Sequence, residues 1–361
     1  MNGREMQVVT ASAVERSRNE GRIDASVAGD IARWLRVETE AEDVRVAAFE
    51  RLPGGAIQDN WTLDVEIDGG PWSGAHGFVL RTDALSGVSA SLTRAQEFAV
   101  LRVAHSAGVI APEPLFLCRD LDVIGRAFFI MRRIRGIVAG HRLTREPLLV
   151  PDGDALAESL GANLARIHAV RPPHAELGDV RAPSADHALV TIAEYRSYLD
   201  GLEDSYPGLE WGLRWCETHA PAPWDITLIH RDYRTGNYLV DGGRLTAVLD
   251  WEFAGWGDPR EDIGWFTARC WRFGALAREA GGLAALEPFM LGYESVAGRR
   301  IDRAEIDYWQ AMAHLRWAII ALQQAQRHVV GGERSLELAL TGRIVHELEY
   351  ELLQLISRGA S

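Results

Sequence analysis

There is no lysine among the 361 residues, and all 38 basic side chains are arginines. Any cationic side chain that meets a phosphate must therefore use a planar guanidinium fork, not a compact ammonium. Cysteine is nearly as scarce. Cys118, Cys216 and Cys270 lie far apart and follow no metal-ligand spacing, so they read as thiols in a reducing compartment. No run approaches the roughly 18 apolar residues of a membrane helix. Met1 to Glu20 mixes charged and polar residues and has no apolar signal-peptide core. A soluble, cytoplasmic protein with no membrane partner is the expectation. Basic excess is missing as well: the net charge of −13 and the pI near 5.4 argue against nucleic acid as a partner. Internal repeats and low-complexity tracts are absent. What is present, 47% hydrophobic residues in a chain this long, suffices for two lobes.

The first 135 residues have one texture. An amphipathic helix is expected at about 26–38, followed by strands at Val44–Leu52, Trp61–Ile67 and Gly77–Arg81. Gly54-Gly55 and Gly69-Gly70-Pro71 supply the turns of an antiparallel meander. Leu92–His105 has helical periodicity, Pro112 and Pro114 end it, and strands follow at Leu115–Cys118 and Ala127–Met131. From 136 to 361 the pattern is mainly helical, with helices expected at 155–169, 186–203, 208–218, 260–272, 302–328 and 333–357. Residues 136–150 read as the connection. The fold class is therefore α+β, with an N-terminal lobe at 1–135 and a C-terminal lobe at 136–361.

One β-rich patch, 226–249, interrupts those helices and carries the chemistry. Thr227-Leu228-Ile229 leads into His230-Arg-Asp232-Tyr-Arg-Thr-Gly-Asn237. Two strands joined by Asp241-Gly242-Gly243 then end at Asp250. Asp232 and Asn237 thus close the two ends of one loop, and Asp250 ends the following hairpin. Phosphoryl transfer needs a carboxylate at the acceptor hydroxyl and oxygen ligands that place a metal on the phosphates. Asp232 suits the first task. Asn237 and Asp250 are hard-oxygen ligands suited to Mg²⁺. Gly257-Asp258-Pro259 and Asp262 strengthen the pattern.

In this wording the segment resembles the aminoglycoside phosphotransferase / choline kinase superfamily, relatives of the protein kinases. Val248-Leu-Asp-Trp-Glu252 is most similar to the branch that includes kinase-like domains fused to some acyl-CoA dehydrogenases. The resemblance runs from about residue 45 to about 355. It implies a two-lobed protein-kinase-like fold, with a small antiparallel-sheet lobe and a larger helical one. By position it implies Asp232 as catalytic base, Asn237 and Asp250 as metal ligands, and His230 and Asp262 as braces of the catalytic loop. Arg51 to Asn60, with Gly54, Gly55 and Asn60, matches the phosphate-covering loop. Arg81 stands where most relatives carry a phosphate-gripping lysine, and Glu97 is its implied partner. Met131 falls on the strand leading to the adenine site. His168 matches a core position of the large lobe and reads as a satisfied core histidine.

The implied activity is transfer of the γ-phosphate of ATP, with Mg²⁺ and with GTP open as an alternative, to a hydroxyl of a small molecule. The acceptor helices hold Trp256, Trp265, Trp271, Trp309 and Trp317, with Arg269, Arg272, His314 and Arg316 beside them. That composition leans toward a hydroxy acid or hydroxyacyl acceptor. Antibiotic phosphorylation and a nucleotide-binding pseudokinase are the alternatives, the latter motivated by Arg81.

Overall fold

The computed structural model describes residues 27–52, 58–83, 91–181, 187–331 and 335–358. Gly54 and Gly55 lie outside the described residues. The chain divides into two compact units, one comprising Met1–Phe98 with Glu113–Arg133 and the other Ala99–Pro112 with Ile134–Ser361. Residues 99–112 thus group with the second unit, although the sequence places them inside the first 135.

In the first unit, helix α1 (Ala28–Glu38) precedes strands β1 (Asp43–Arg51), β2 (Gln58–Asp68) and β3 (Gly74–Asp83). Helix α2 (Arg94–Ser106) follows, then β4 (Pro114–Cys118) and β5 (Phe128–Arg132). The five strands form one sheet in the order β1-β2-β3-β5-β4, every neighbouring pair antiparallel. Gly69 and Gly70 turn β2 toward β3 with φ of 73° and 69°, where a side chain would be strained. One sheet face is apolar, with Leu63, Phe78, Leu80, Phe128 and Ile130 buried together with Ile31 and Leu35 of α1. Period-2 alternation makes that face, and the 3.6 period of α1 supplies the matching stripe. The other face carries the polar residues used below, because Asn60 pairs with Arg81 across β2 and β3.

The second unit continues with α3 (Gly140–Arg145), α4 (Gly153–His168), α5 (His187–Asp200) and α6 (Pro207–Thr218). Next come β6 (Thr227–Ile229), β7 (Tyr238–Asp241), β8 (Arg244–Val248), β9 (Gly255–Gly257) and α7 (Arg260–Thr267). Helices α8 (Leu286–Ala297), α9 (Arg303–Val329), α10 (Leu336–Arg343) and α11 (Val345–Arg358) complete it. Among the described residues no helix is long and apolar enough to cross a membrane. The 27-residue α9 starts at a capping box made by Asp302 and Glu305. Tyr308, Met312, Leu315 and Ile319 of α9 share a core with Leu209 and Leu213 of α6 and Leu348 and Leu352 of α11.

Three elements escape the sequence pattern, the first being the six-residue α3 inside the 136–150 stretch that reads as a connection. Helix α8 is unsignalled because it is apolar around most of its girth, and it docks on α4 at glycines. A Cβ at Gly161 would lie 1.9 Å from the Phe289 carbonyl oxygen, and one at Gly292 would lie 1.9 Å from that of Glu158. Only glycine on both helices permits that approach. Strand β9 is three residues of Gly-Trp-Gly, too short to show a period, and it pairs with β6. The expected helix at 260–272 stops at Thr267 and resumes as a 3₁₀ turn at Arg269–Trp271. That at 333–357 is two helices divided at Ile344. All three cysteines are thiols. Burial pushes Cys118, Cys216 and Cys270 upward, Cys270 to about 12.

Candidate active site

In the second unit the site is built on one buried carboxylate. Asp262 lies in the first turn of α7, fully enclosed, and accepts from two backbone amides, His230 N at 2.6 Å and Arg231 N at 2.7 Å. His168 of α4 adds its Nε2 at 3.2 Å and places Nδ1 2.9 Å from the Tyr293 hydroxyl of α8. Burial alone would raise Asp262, but the bond and charge of His168 and the amide of His230 outweigh it and hold the carboxyl below its usual value. The two amides end up on one carboxylate because Arg231 takes a left-handed conformation at φ 64°.

His230 continues the chain of bonds. Its Nε2–H donates to the Leu249 carbonyl at 2.9 Å, and its Nδ1 accepts from Asp232 N at 3.2 Å. That pattern sets a single neutral tautomer, and burial lowers the His230 pKa. The ring therefore ties the start of the catalytic loop to the end of β8. From the other side, Leu249 N donates to the Asn237 carbonyl at 2.8 Å. Asp250 follows directly, in a left-handed conformation at φ 60° before a 3₁₀ turn, Trp251–Phe253. The Trp251 indole donates to the Val248 carbonyl at 3.0 Å and packs edge-on against His230.

Asp232 receives three side-chain donors. Its Oδ1 accepts from Trp265 Nε1 at 2.8 Å and from Arg234 Nε at 3.0 Å, while Oδ2 accepts from the Asn237 amide. Asn237 Nδ2 also donates to the Asp232 carbonyl at 3.0 Å. The amide nitrogen is thus spent on Asp232, and the amide oxygen is the atom left to face a cation. Arg234 lies over the Trp271 ring at 4.4 Å, and Arg316 lies over the Trp265 ring at 4.6 Å while donating to the Arg231 carbonyl.

The first unit holds a second polar centre. Arg81 of β3 is buried, its Nε 2.8 Å from Glu97 Oε1 of α2 and its Nη1 3.3 Å from Asn60 Oδ1. Glu97 also pairs through its other oxygen with the buried Arg94, whose Nε lies 2.9 Å from Asp83. Met131 is half-buried on β5, opposite Val79.

Of the residues singled out by sequence, the structure brings together Asp232, Asn237, His230 and Asp262, with Asp250 following the Leu249 link, in one unit. It brings Asn60, Arg81 and Glu97 together in the other. Trp265 and Arg234 as direct partners of Asp232 went unread. The signal for Trp265 was its position three residues after Asp262, one turn along the same helix. Arg94 as the second partner of Glu97 has the same three-residue signature. Asp258 is engaged by Arg260 at 2.6 Å, and Glu261 meets His187 at 2.9 Å.

Among the described residues no group of three or more His, Cys, Asp or Glu side chains is arranged to hold a metal ion. A Mg²⁺ that arrives on a nucleotide needs no such cluster, since phosphate oxygens and water fill most of its octahedron. One carboxylate and one amide oxygen, Asp250 and Asn237, suit that role.

A five-stranded antiparallel sheet with helices α1 and α2, and a helical unit whose His-x-Asp-x₄-Asn loop is closed by an Asp-ended hairpin, define a kinase-like fold of the aminoglycoside phosphotransferase type. The model of the phosphotransferase enzyme family matches residues 38–299, and the chain belongs to that family. The solved structures agree. A Ralstonia eutropha protein provisionally described as an aminoglycoside phosphotransferase superposes with a TM-score of 0.71 at 22% identity, covering 93% of this chain and 99% of that one. The aminoglycoside phosphotransferase APH(4)-Ia, in ternary complex with ADP and hygromycin B, gives 0.59 at 19% identity, covering 92% and 99%. Acyl-CoA dehydrogenase family member 11 of Pongo abelii is 25% identical over 275 residues, 73% of this chain and 35% of its own length. The chain thus spans about a third of that curated relative.

Proposed function

We propose that the chain is an ATP-dependent O-phosphotransferase that moves the γ-phosphate of Mg·ATP onto a hydroxyl of a small metabolite. The observation that carries this reading is the convergence of Trp265, Arg234 and Asn237 on the Asp232 carboxylate. Nothing in a merely structural loop calls for a part-exposed aspartate oriented by three separate donors. Asp232 takes the proton of the acceptor hydroxyl, or orients that hydroxyl, as its oxygen bonds to the γ-phosphorus. The bond from phosphorus to the bridging oxygen breaks and ADP leaves. Asn237 and Asp250 would hold a Mg²⁺, which would supply charge neutralisation to the transferring phosphate. Arg81, steadied by Glu97 and Asn60, is the guanidinium that would meet phosphate oxygens in place of the usual lysine.

The acceptor class is part of the same proposal. Asp258 and Glu261 are committed to Arg260 and His187, which weakens the case for a polycationic antibiotic. The aromatic and arginine-rich helices, and curated relatives named for acyl-CoA dehydrogenases, support a hydroxy acid or hydroxyacyl acceptor. A nucleotide-binding protein without transfer activity is the second reading, motivated by Arg81 in the lysine position.

The test is phosphate transfer from γ-labelled ATP with Mg²⁺ to pooled hydroxy acids, amino alcohols and aminoglycosides, for wild type and Asp232→Asn. Label moving to the hydroxy-acid pool and lost in the variant supports the proposal. Mg·ATP binding without transfer to any pool favours the second reading.

A further inference from the structure

Within the second unit lies a polar cavity of about 140 Å³ lined chiefly by Arg269, Arg272, Glu279, Arg303, Gln310 and His314. At about 30 Å³ per water it holds a few waters or one compact ion. Its walls are held in place. Arg272 Nε and Nη2 donate to the Thr267 carbonyl at 3.1 and 2.7 Å, and Nη1 donates to the Leu276 carbonyl at 2.8 Å. Gln310 bonds Thr267 Oγ1 at 2.9 Å and Glu279 at 2.8 Å.

Two features point to a ligand. The first is the charge. Glu351, also in the wall, is tied to Arg269 at 2.8 Å, and Glu279 is tied to Arg303 at 2.9 Å, with Asp307 sharing Arg303 from one turn along α9. Arg272, mostly buried, reaches a carboxylate only at 3.5 Å. Burial above all, with Arg269 and Arg303 working against Glu279, holds Arg272 below the ordinary arginine value. The second is His314, 2% exposed. Its Nδ1–H donates to the Gln310 carbonyl at 2.7 Å, and its Nε2 has no hydrogen-bond partner. Burial, with Arg272 and Arg269 nearby, pushes His314 down to about 4, so Nε2 is a bare acceptor at neutral pH. An unmatched buried acceptor beside a guanidinium whose carboxylate partner is 3.5 Å away leaves one hydrogen bond unmade and one positive charge without a close counter-charge.

We propose that this cavity binds an oxyanion that also carries an O–H, with inorganic phosphate as the fitting ligand. The anionic oxygens accept from Arg272 and Arg269, and the P–OH donates to His314 Nε2. Sulfate has the same shape and no O–H at neutral pH, so one of its oxygens would face the His314 lone pair. The cavity shares Arg269, Arg272 and His314 with the helices read as the acceptor's, but phosphate binding in it does not depend on the phosphotransferase reading. The Arg269–Trp271 turn, with Arg272 following, nonetheless joins it to the catalytic loop, because Arg234 stacks on Trp271.

Isothermal titration of the intact chain at neutral pH, without nucleotide, tests this with inorganic phosphate and with sulfate. Saturable phosphate binding about tenfold or more tighter than sulfate is expected, the scale of one buried hydrogen bond made or lost. His314→Phe should abolish that preference, and Arg269→Gln should weaken phosphate about tenfold while the fold persists by circular dichroism. Asp232→Asn should leave phosphate binding intact, which separates this site from the catalytic loop. Absence of saturable phosphate binding, equal affinity for sulfate, or loss of binding in Asp232→Asn overturns the proposal.

Discussion

Glu97 in the first unit and Asp262 in the second are both fully buried carboxylates, and they are held in opposite ways. Glu97 meets charge with charge: Arg81 takes one oxygen and Arg94 the other. Asp262 meets two backbone amides and one histidine, with no arginine or lysine against it. Under the proposed function the difference follows from the task. A pair of long side chains can place a guanidinium where a phosphate is to be met, since each has several torsions to spend on reach. A catalytic loop needs its backbone fixed, and a carboxylate that accepts N–H groups fixes backbone directly. The first arrangement is vulnerable to loss of charge, the second to loss of acceptor atoms.

The largest expected effect lies at Asp232, in the loop whose backbone Asp262 holds. Asp232→Asn should lower kcat by roughly 10²–10⁴ while Mg·ATP affinity is kept, measured by labelled transfer and by nucleotide titration. Turnover near wild type would remove Asp232 from the chemistry. Next, Glu97→Gln should destabilise the protein by about 3–5 kcal/mol in urea unfolding, because two buried guanidinia lose their counter-charge. The comparison breaks if that amide costs less than about 1 kcal/mol.

His314 supplies a third probe, a buried polar group with no ion partner. Its folded pKa of about 4 lies below the usual 6.5. Such a group adds stability in full above pH 6.5 and loses it as pH falls toward 4, since the unfolded chain takes up the proton first. His314→Phe should therefore flatten the fall in stability between pH 6.5 and 4 by up to about 3 kcal/mol. An unchanged slope by denaturant titration across that window contradicts it.

Asp262→Asn should cost less than Glu97→Gln, about 1–2 kcal/mol, since an amide oxygen still accepts a backbone N–H. Equal costs would erase the distinction between the two carboxylates. Smallest is Trp265→Phe. It removes one donor from Asp232 while keeping the ring, so kcat should fall about tenfold with the nucleotide KM unchanged.

Much of this was legible in sequence because it is local. The meander, α1, and the hairpin from Tyr238 to Val248 follow from period and turn chemistry within a few residues. Asp232, Asn237 and Asp250 stand out by spacing together with the strands that flank them and the Gly257-Asp258-Pro259 and Asp262 that follow. The partnership of Arg81 and Glu97 came from resemblance, and the structure places them 2.8 Å apart. Helix α8 and strand β9 were not legible, the one having no polar stripe and the other too few residues to show a period. Gly54 and Gly55 lie outside the described residues.

The sequence by itself determined which chemistry the chain is equipped for, because acids, amides and glycines at fixed intervals along one loop are set by covalent order. It also determined that every cationic contact is an arginine. Only the tertiary structure decided what orients Asp232. Trp265 lies 33 residues away along the chain, and His168 meets Asp262 across 94. Those bonds exist because α4 packs on α8, and α7 on α9, at glycine contacts, and close packing between distant segments leaves no periodic trace in the chain that makes it.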